Sequence, residues 1–175
     1  NPFGLAFNND GTKMYVADGG TDDVNEYTLT TGFNVSTASY SQTLATNPNP
    51  SSIAFNSDGT KIFILRSGAT DIVDEYALST AFDISTASFV VGFSVAAQDT
   101  SPFGLAFNTD GSKMFVVGYA GQDVNEYTLS TSFDVSTASF VDSFSVSAQD
   151  TGPSGIAFNA DGTKMFITGL TGDNV

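Results

Sequence analysis

The stretch Pro2-Phe3-Gly4-Leu5-Ala6-Phe7-Asn8-Asn9-Asp10-Gly11-Thr12-Lys13-Met14-Tyr15-Val16 decides the fold, because it returns from Pro50, from Pro102 and from Pro153. Asp10, Asp58, Asp110 and Asp161 are therefore equivalent, at spacings of 48, 52 and 51 residues. Each copy opens with a short apolar run behind a proline, which cannot donate to a ladder and so marks the start of a strand. Asn-x-Asp-Gly follows, where Gly takes φ > 0 and Asp bonds its own backbone, giving a tight hairpin. A second strand, Lys13 to Ala17, has copies at Lys61 to Leu65, Lys113 to Val117 and Lys164 to Thr168.

Outward from that core, Val24 to Leu29, Val73 to Leu78 and Val124 to Leu129 read as a third strand. Alternation there puts Tyr27 and Leu29 on one face and Glu26 on the other, in polar surroundings. A polar connection, Thr-x-x-Phe-Asn/Asp-Val/Ile-Ser-Thr-Ala-Ser, leads to a fourth, outermost strand from about Tyr40, Phe89 and Phe140. Helix is excluded, since β-branched and aromatic residues alternate and Gly or Pro interrupts every window of about twelve. A four-stranded repeat of about 50 residues must stack on its neighbours to bury its faces. The expectation is all-β: a β-propeller with four-stranded antiparallel blades, forming an incomplete ring in this chain. The blades run over 1–48, 49–100 and 101–151, with a partial fourth over 152–175. Leu5 and Phe7 are expected in the core, with Asp10-Gly11 in an exposed hairpin.

Ile53-Ala54-Phe55-Asn56-Ser57-Asp58-Gly59-Thr60-Lys61-Ile62-Phe63-Ile64 and its copy from Gly104 to Val116 resemble the propeller repeats of the TolB-type and YVTN surface-layer kind. The Pro-x-Gly opening and Tyr15-Val16-Ala17-Asp18 are similar to the NHL class. The resemblance covers the whole chain. It implies a superfamily of periplasmic scaffolds, cell-surface and phage-associated repeat proteins, sugar lactonases and quinone-dependent dehydrogenases. Fold alone does not choose among these. Such propellers close with at least four blades, whereas Asp173-Asn174-Val175 stands where a fourth blade's third strand begins. The reading therefore expects a longer chain with at least two further blades as partners of this one.

Five basic against 19 acidic side chains give a net charge of −14, which opposes binding to nucleic acid or to an anionic membrane surface. No apolar run approaches the length of a membrane helix. With no Cys, disulfides, thiol catalysis and cysteine-held metals are excluded, and with no His the usual general base is missing. An acidic surface rich in Ser, Thr and Asn suits an extracellular, cell-surface or periplasmic setting.

Lys13, Lys61, Lys113 and Lys164 occupy one repeat position, as do the turn aspartates and Glu26, Glu75 and Glu126. A catalytic group is needed once, so residues present in every blade serve the blade. Calcium is the one cofactor to weigh: Asp18, Asp22 and Asp23 place three carboxylates in six residues, though without a complete calcium-loop pattern. Residues that break the repeat are the better guide to a ligand. Arg66, the only Arg, lies in a loop between second and third strands, on a face shared with Asp18, Tyr119, Gln98, Asp99, Gln149 and Asp150. The leading expectation is a non-catalytic scaffold or binding module for a protein or glycan, using Arg66, Tyr119, Asp18, Asp99 and Asp150. Its alternatives are an enzyme of the sugar-lactonase or quinone-dehydrogenase sort with its metal site on further blades, and a phage or virion appendage.

Overall fold

The computed structural model describes residues 1–171. Strands β1 (Pro2–Phe7), β2 (Lys13–Asp18), β3 (Asp23–Leu29) and β4 (Ala38–Ala45) pair antiparallel in sequence order. The same sheet recurs as β5 (Pro50–Phe55), β6 (Lys61–Arg66), β7 (Ile72–Leu78) and β8 (Ala87–Ser94). It recurs again as β9 (Pro102–Phe107), β10 (Lys113–Gly118), β11 (Asp123–Leu129) and β12 (Ala138–Ser145), and β13 (Pro153–Phe158) with β14 (Met165–Gly169) begins a fourth. These are propeller blades, and among the described residues they form no closed ring. No described helix is long and apolar enough to cross a membrane.

The core lies between sheets, because a strand's alternate residues face opposite neighbours. Ile62 and Ile64 of β6 pack with Tyr15, Ala17 and Val24 of the first blade, whereas Phe63 and Leu65 pack with Leu105, Met114 and Val116 of the third. Both faces of a blade are thus apolar, unlike those of a sheet with one side in water. Each joint is centred on an aromatic pair: Tyr15 on Phe55 with ring centroids 4.6 Å apart, Phe63 on Phe107 at 4.5 Å, and Phe115 on Phe158 at 4.7 Å. Phe7, Phe55, Phe107 and Phe158 are alike in being half-buried. Leu5 corrects the expectation of a core position: it is 60% exposed, against 6% for Ile53 and 5% for Leu105. The reason is directional, since this side chain faces the preceding blade and the first blade has none beside it.

The connection from third to fourth strand is more than polar linker. It holds a 3-10 turn in each blade, η1 (Val35–Thr37), η2 (Ile84–Thr86) and η3 (Val135–Thr137). Asn34, Asp83 and Asp134 cap these turns by accepting from the backbone N–H and hydroxyl of Ser36, Ser85 and Ser136. The Phe before each cap takes φ of 58°, 57° or 54°, a left-handed conformation that costs a bulky residue about 1–3 kcal/mol. This lays the rings of Phe33, Phe82 and Phe133 over Gly11, Gly59 and Gly111, where any Cβ would collide with them. Those glycines, at φ 71°, are consequently buried beneath the ring, while Asp10 beside Gly11 stays exposed as expected. In the Asp-Gly turns, a bond from the hydroxyl and then the N–H of Thr12, Thr60, Ser112 or Thr163 holds the aspartate carboxyl below its ordinary range.

Glu26 and Glu75 pair with the repeated Lys13 and Lys61 but lie buried between blades, not on a solvated face. Both are 2% exposed, and each meets the turn of the following blade. Lys61 Nζ lies 2.7 Å from Glu75 Oε1 and donates to the Phe133 carbonyl at 2.6 Å, while Glu75 Oε2 accepts the Val135 N–H at 3.0 Å. One blade earlier, Lys13 pairs with Glu26 at 3.0 Å and donates to the Phe82 carbonyl, and Glu26 accepts the Ile84 N–H at 3.4 Å. The repeated Lys and Glu together form a latch for the next blade's turn. Correspondingly, Ile84 and Val135 are 1% and 0% exposed, whereas Val35, which no latch receives, is 62% exposed.

Candidate binding face around the axis

The β2–β3 turns and the connections between blades lie at one end of the stack, and the charged residues singled out there are engaged by partners within the chain. Arg66 is 8% exposed. Its Nε lies 2.7 Å from Asp74 Oδ2, an ion pair whose angle is poor for a hydrogen bond, while Nη2 donates to Asp74 Oδ1 at 3.2 Å and Nη1 to Thr70 Oγ1 at 2.9 Å. Asp74 is buried and stands where the other blades carry Asn25 and Asn125. Blade two therefore departs from the repeat twice, once with each sign of charge, and the two departures meet.

Asp99 and Asp150 are buried caps of the connections between blades. Asp99 accepts the N–H groups of Ser101 and Gly121 at 2.6 and 2.8 Å, and Asp150 accepts the Gly152 N–H at 2.6 Å and the Thr171 hydroxyl at 3.0 Å. Each carboxylate fills the space over Gly118 or Gly169, where a Cβ would strike it. This explains the Arg: the connection into blade two reads Asn47-Pro48-Asn49 without such an Asp, so a side chain fits at position 66. Asp18 is half-exposed and accepts the Gly20 N–H at 2.7 Å and the Asn1 amine. The amine first, then the Gly20 N–H, holds the Asp18 carboxyl below its ordinary range.

Asp22 and Asp23 point their carboxylates at separate protein donors, the Asn49 N–H at 2.8 Å and the Asn25 amide at 2.7 Å. Among the described residues, no group of three or more carboxylates is placed to hold a metal ion. Gln98 accepts from the Tyr127 hydroxyl, whose ionisation burial pushes far up. Of the five residues expected to meet a ligand, only Tyr119 is largely exposed.

A different set of residues faces the axis. In every blade the innermost strand carries a bulge at Phe3, Ser51, Phe103 or Ser154, between the paired Pro and Gly or Ser positions. Bulges re-aim a side chain. Here Phe3 and Phe103, from blades one and three, approach edge-on with centroids 6.1 Å apart. With Asn49, Ser51, Ser67 and Gly68 they line a cleft of ≈ 220 Å³. The signal in the sequence was the alternation of Phe and Ser at one position between a constant Pro and a small Gly or Ser.

No protein-family model and no curated protein matches this chain. Among solved structures, a protein from Lactobacillus plantarum superposes with a TM-score of 0.70 at 13% identity, over 97% of this chain and 48% of the other. The periplasmic gluconolactonase of Pseudomonas aeruginosa gives 0.66 at 18% identity, over 95% and 46%. The β-propeller domain of Cps50 (Swd1) from Myceliophteria thermophila gives 0.64 at 11%, over 98% and 51%. The chain spans about half the length of these neighbours, and at such low identity the likeness shows one thing, the β-propeller fold.

Proposed function

We propose that this chain forms part of a propeller whose axial mouth binds a neutral, polar glycan outside the cytoplasm. The observation that carries this reading is the bulged pair Phe3 and Phe103 above Asn49, Ser51 and Ser67, aromatic surface beside a few convergent polar groups, the usual make-up of a small-molecule site. Tyr119 adds exposed amphipathic surface at the same end. The net charge of −14 turns away polyanions, and the periplasmic setting of the Pseudomonas neighbour agrees with an extracytoplasmic site. Arg66, Asp99 and Asp150 act beneath this face by holding its loops.

Titration of neutral oligosaccharides into the protein tests it. Phe103→Ala is expected to weaken a binding sugar by about tenfold or more, the scale of losing an aromatic anchor, while Phe140→Ala on the rim leaves binding unchanged. Equal effects from both, or no neutral sugar bound at all, would remove the mouth from consideration. The gluconolactonase neighbour favours a second reading, a sugar lactonase. Proton release from glucono-lactone above the spontaneous rate separates it from simple binding.

A further inference from the structure

Blade two departs from the repeat at the axial end, and its departures converge on one wall of the mouth. Its turn between second and third strands spans five residues, 67–71, because Arg66 pairs with Ile72, whereas Asp18 pairs with Asp23 and Gly118 with Asp123 around four. The Ser67 N–H of this longer turn donates to the Asn49 carbonyl of the connection entering the blade, at 3.1 Å. Asn49 and Asp71 take φ of 62° and 42°, left-handed conformations that persist where surrounding bonds fix them. Asp71 is buried, accepting the Gly68 N–H at 2.9 Å on its carboxylate and the Val95 N–H at 2.9 Å on its carbonyl. Beneath both segments lies Asp74. It meets Arg66, which reaches on to Thr70 in the turn, and it accepts from the Asn47 amide in the connection at 3.2 Å. Blades one and three have no such bridge, since Asn25 and Asn125 donate to Asp23 and Asp123 of their own strands.

We propose that Arg66 and Asp74 are positioning residues that set the sugar selectivity of the axial mouth, an inference that rests on the glycan reading above. The pair clamps the longer turn of blade two to the connection entering that blade, and so fixes Asn49, Ser67 and Gly68 as a polar wall beside Phe3 and Phe103. Blades one and three supply the aromatic wall from one repeated position, and blade two supplies the hydrogen-bonding wall from residues around its clamp. A sugar offers an apolar ring face and a rim of hydroxyls that donate and accept, so two such walls read both at once. The phenylalanines hold any sugar ring, and the clamped wall selects the arrangement of its hydroxyls.

Two variants of the full chain test the clamp. Arg66→Gly combined with Asp74→Asn gives blade two the residues that blade three carries as Gly118 and Asn125, and Thr70→Val removes the hold of Arg66 on the turn while leaving the ion pair. The probes are cellobiose and lactose, neutral disaccharides that differ at one hydroxyl of the terminal sugar. The unaltered protein is expected to prefer one of them by about fivefold or more, the scale of one hydrogen bond, and both variants to lose most of that preference. Phe103→Ala should instead weaken both sugars alike. In the double variant, amide exchange at Ser67 and Gly68 should quicken by about tenfold or more, with Tyr119, the blade-three counterpart of Ser67, unchanged. Unchanged exchange at Ser67 and Gly68 overturns the clamp, and faster exchange with sugar preference intact overturns its role in recognition. Failure of the glycan reading is separately visible: neither disaccharide binds the unaltered protein, yet exchange still quickens in the double variant, so the recognition role falls and the clamp stands.

Discussion

Lys61→Met is expected to lower the stability of the protein by about 2–4 kcal/mol, and Lys113→Met by only about 0–1 kcal/mol, although both remove the same repeat position. The difference is burial. Glu75 is 2% exposed and loses its counter-charge with Lys61, so a carboxylate is left unpaired between blades while the Phe133 carbonyl loses its donor. Glu126 keeps access to water and can be hydrated when Lys113 is gone. For the same reason Glu126→Gln should cost about 0–1 kcal/mol and Glu75→Gln several times more. Denaturant unfolding of the variants measures this, and equal losses at the two lysines would mean that the latch contributes no more than a surface ion pair.

Arg66→Ala carries the second large effect, about 3–5 kcal/mol, because it strands the buried Asp74 carboxylate with only the Asn47 amide, 3.2 Å away, as partner. The repeat supplies its own remedy. Blades one and three carry Asn25 and Asn125 in place of Asp74, and blade three carries Gly118 in place of Arg66. Arg66→Gly combined with Asp74→Asn should therefore recover most of the loss, giving a coupling energy of about 2–3 kcal/mol in a double-mutant cycle. Strict additivity of the two single changes would show that the ion pair is incidental.

The order and pairing of the strands were legible in the sequence because proline starts, Asp-Gly turns and alternating β-branched residues mark them in each copy. What alternation does not reveal is which faces are covered. In a stack of blades both are, so Glu26 and Glu75, read as strand residues in polar surroundings, lie between sheets, and Leu5, read as core, lies open at one end of the stack. The 3-10 turns had a local signal, Asn34, Asp83 or Asp134 two residues before a Ser, but a left-handed Phe preceding it has no signature in composition. At the loop face, Arg66 departs from the repeat together with Asp74 of the same blade, and alternation along the strands gave no sign that the two would meet. Phe3 and Phe103 were absorbed into the reading of β1 and β9 as core strands, because a bulge shifts a side chain without changing the residue pattern around it.

The claim that each blade's Lys–Glu pair holds the turn of the next blade is tested most directly by amide hydrogen exchange at three equivalent positions. The N–H of Val135, bonded to Glu75, and of Ile84, bonded to Glu26, should exchange slowly, with Val135 the slower for its shorter bond. The N–H of Val35, in the one turn among the described residues that no latch receives, should exchange about a hundredfold faster or more, as expected of a locally opening segment. Equal protection at Val35 and Val135 would contradict the account, since the turn would then be ordered by its own capping and not by the blade before it.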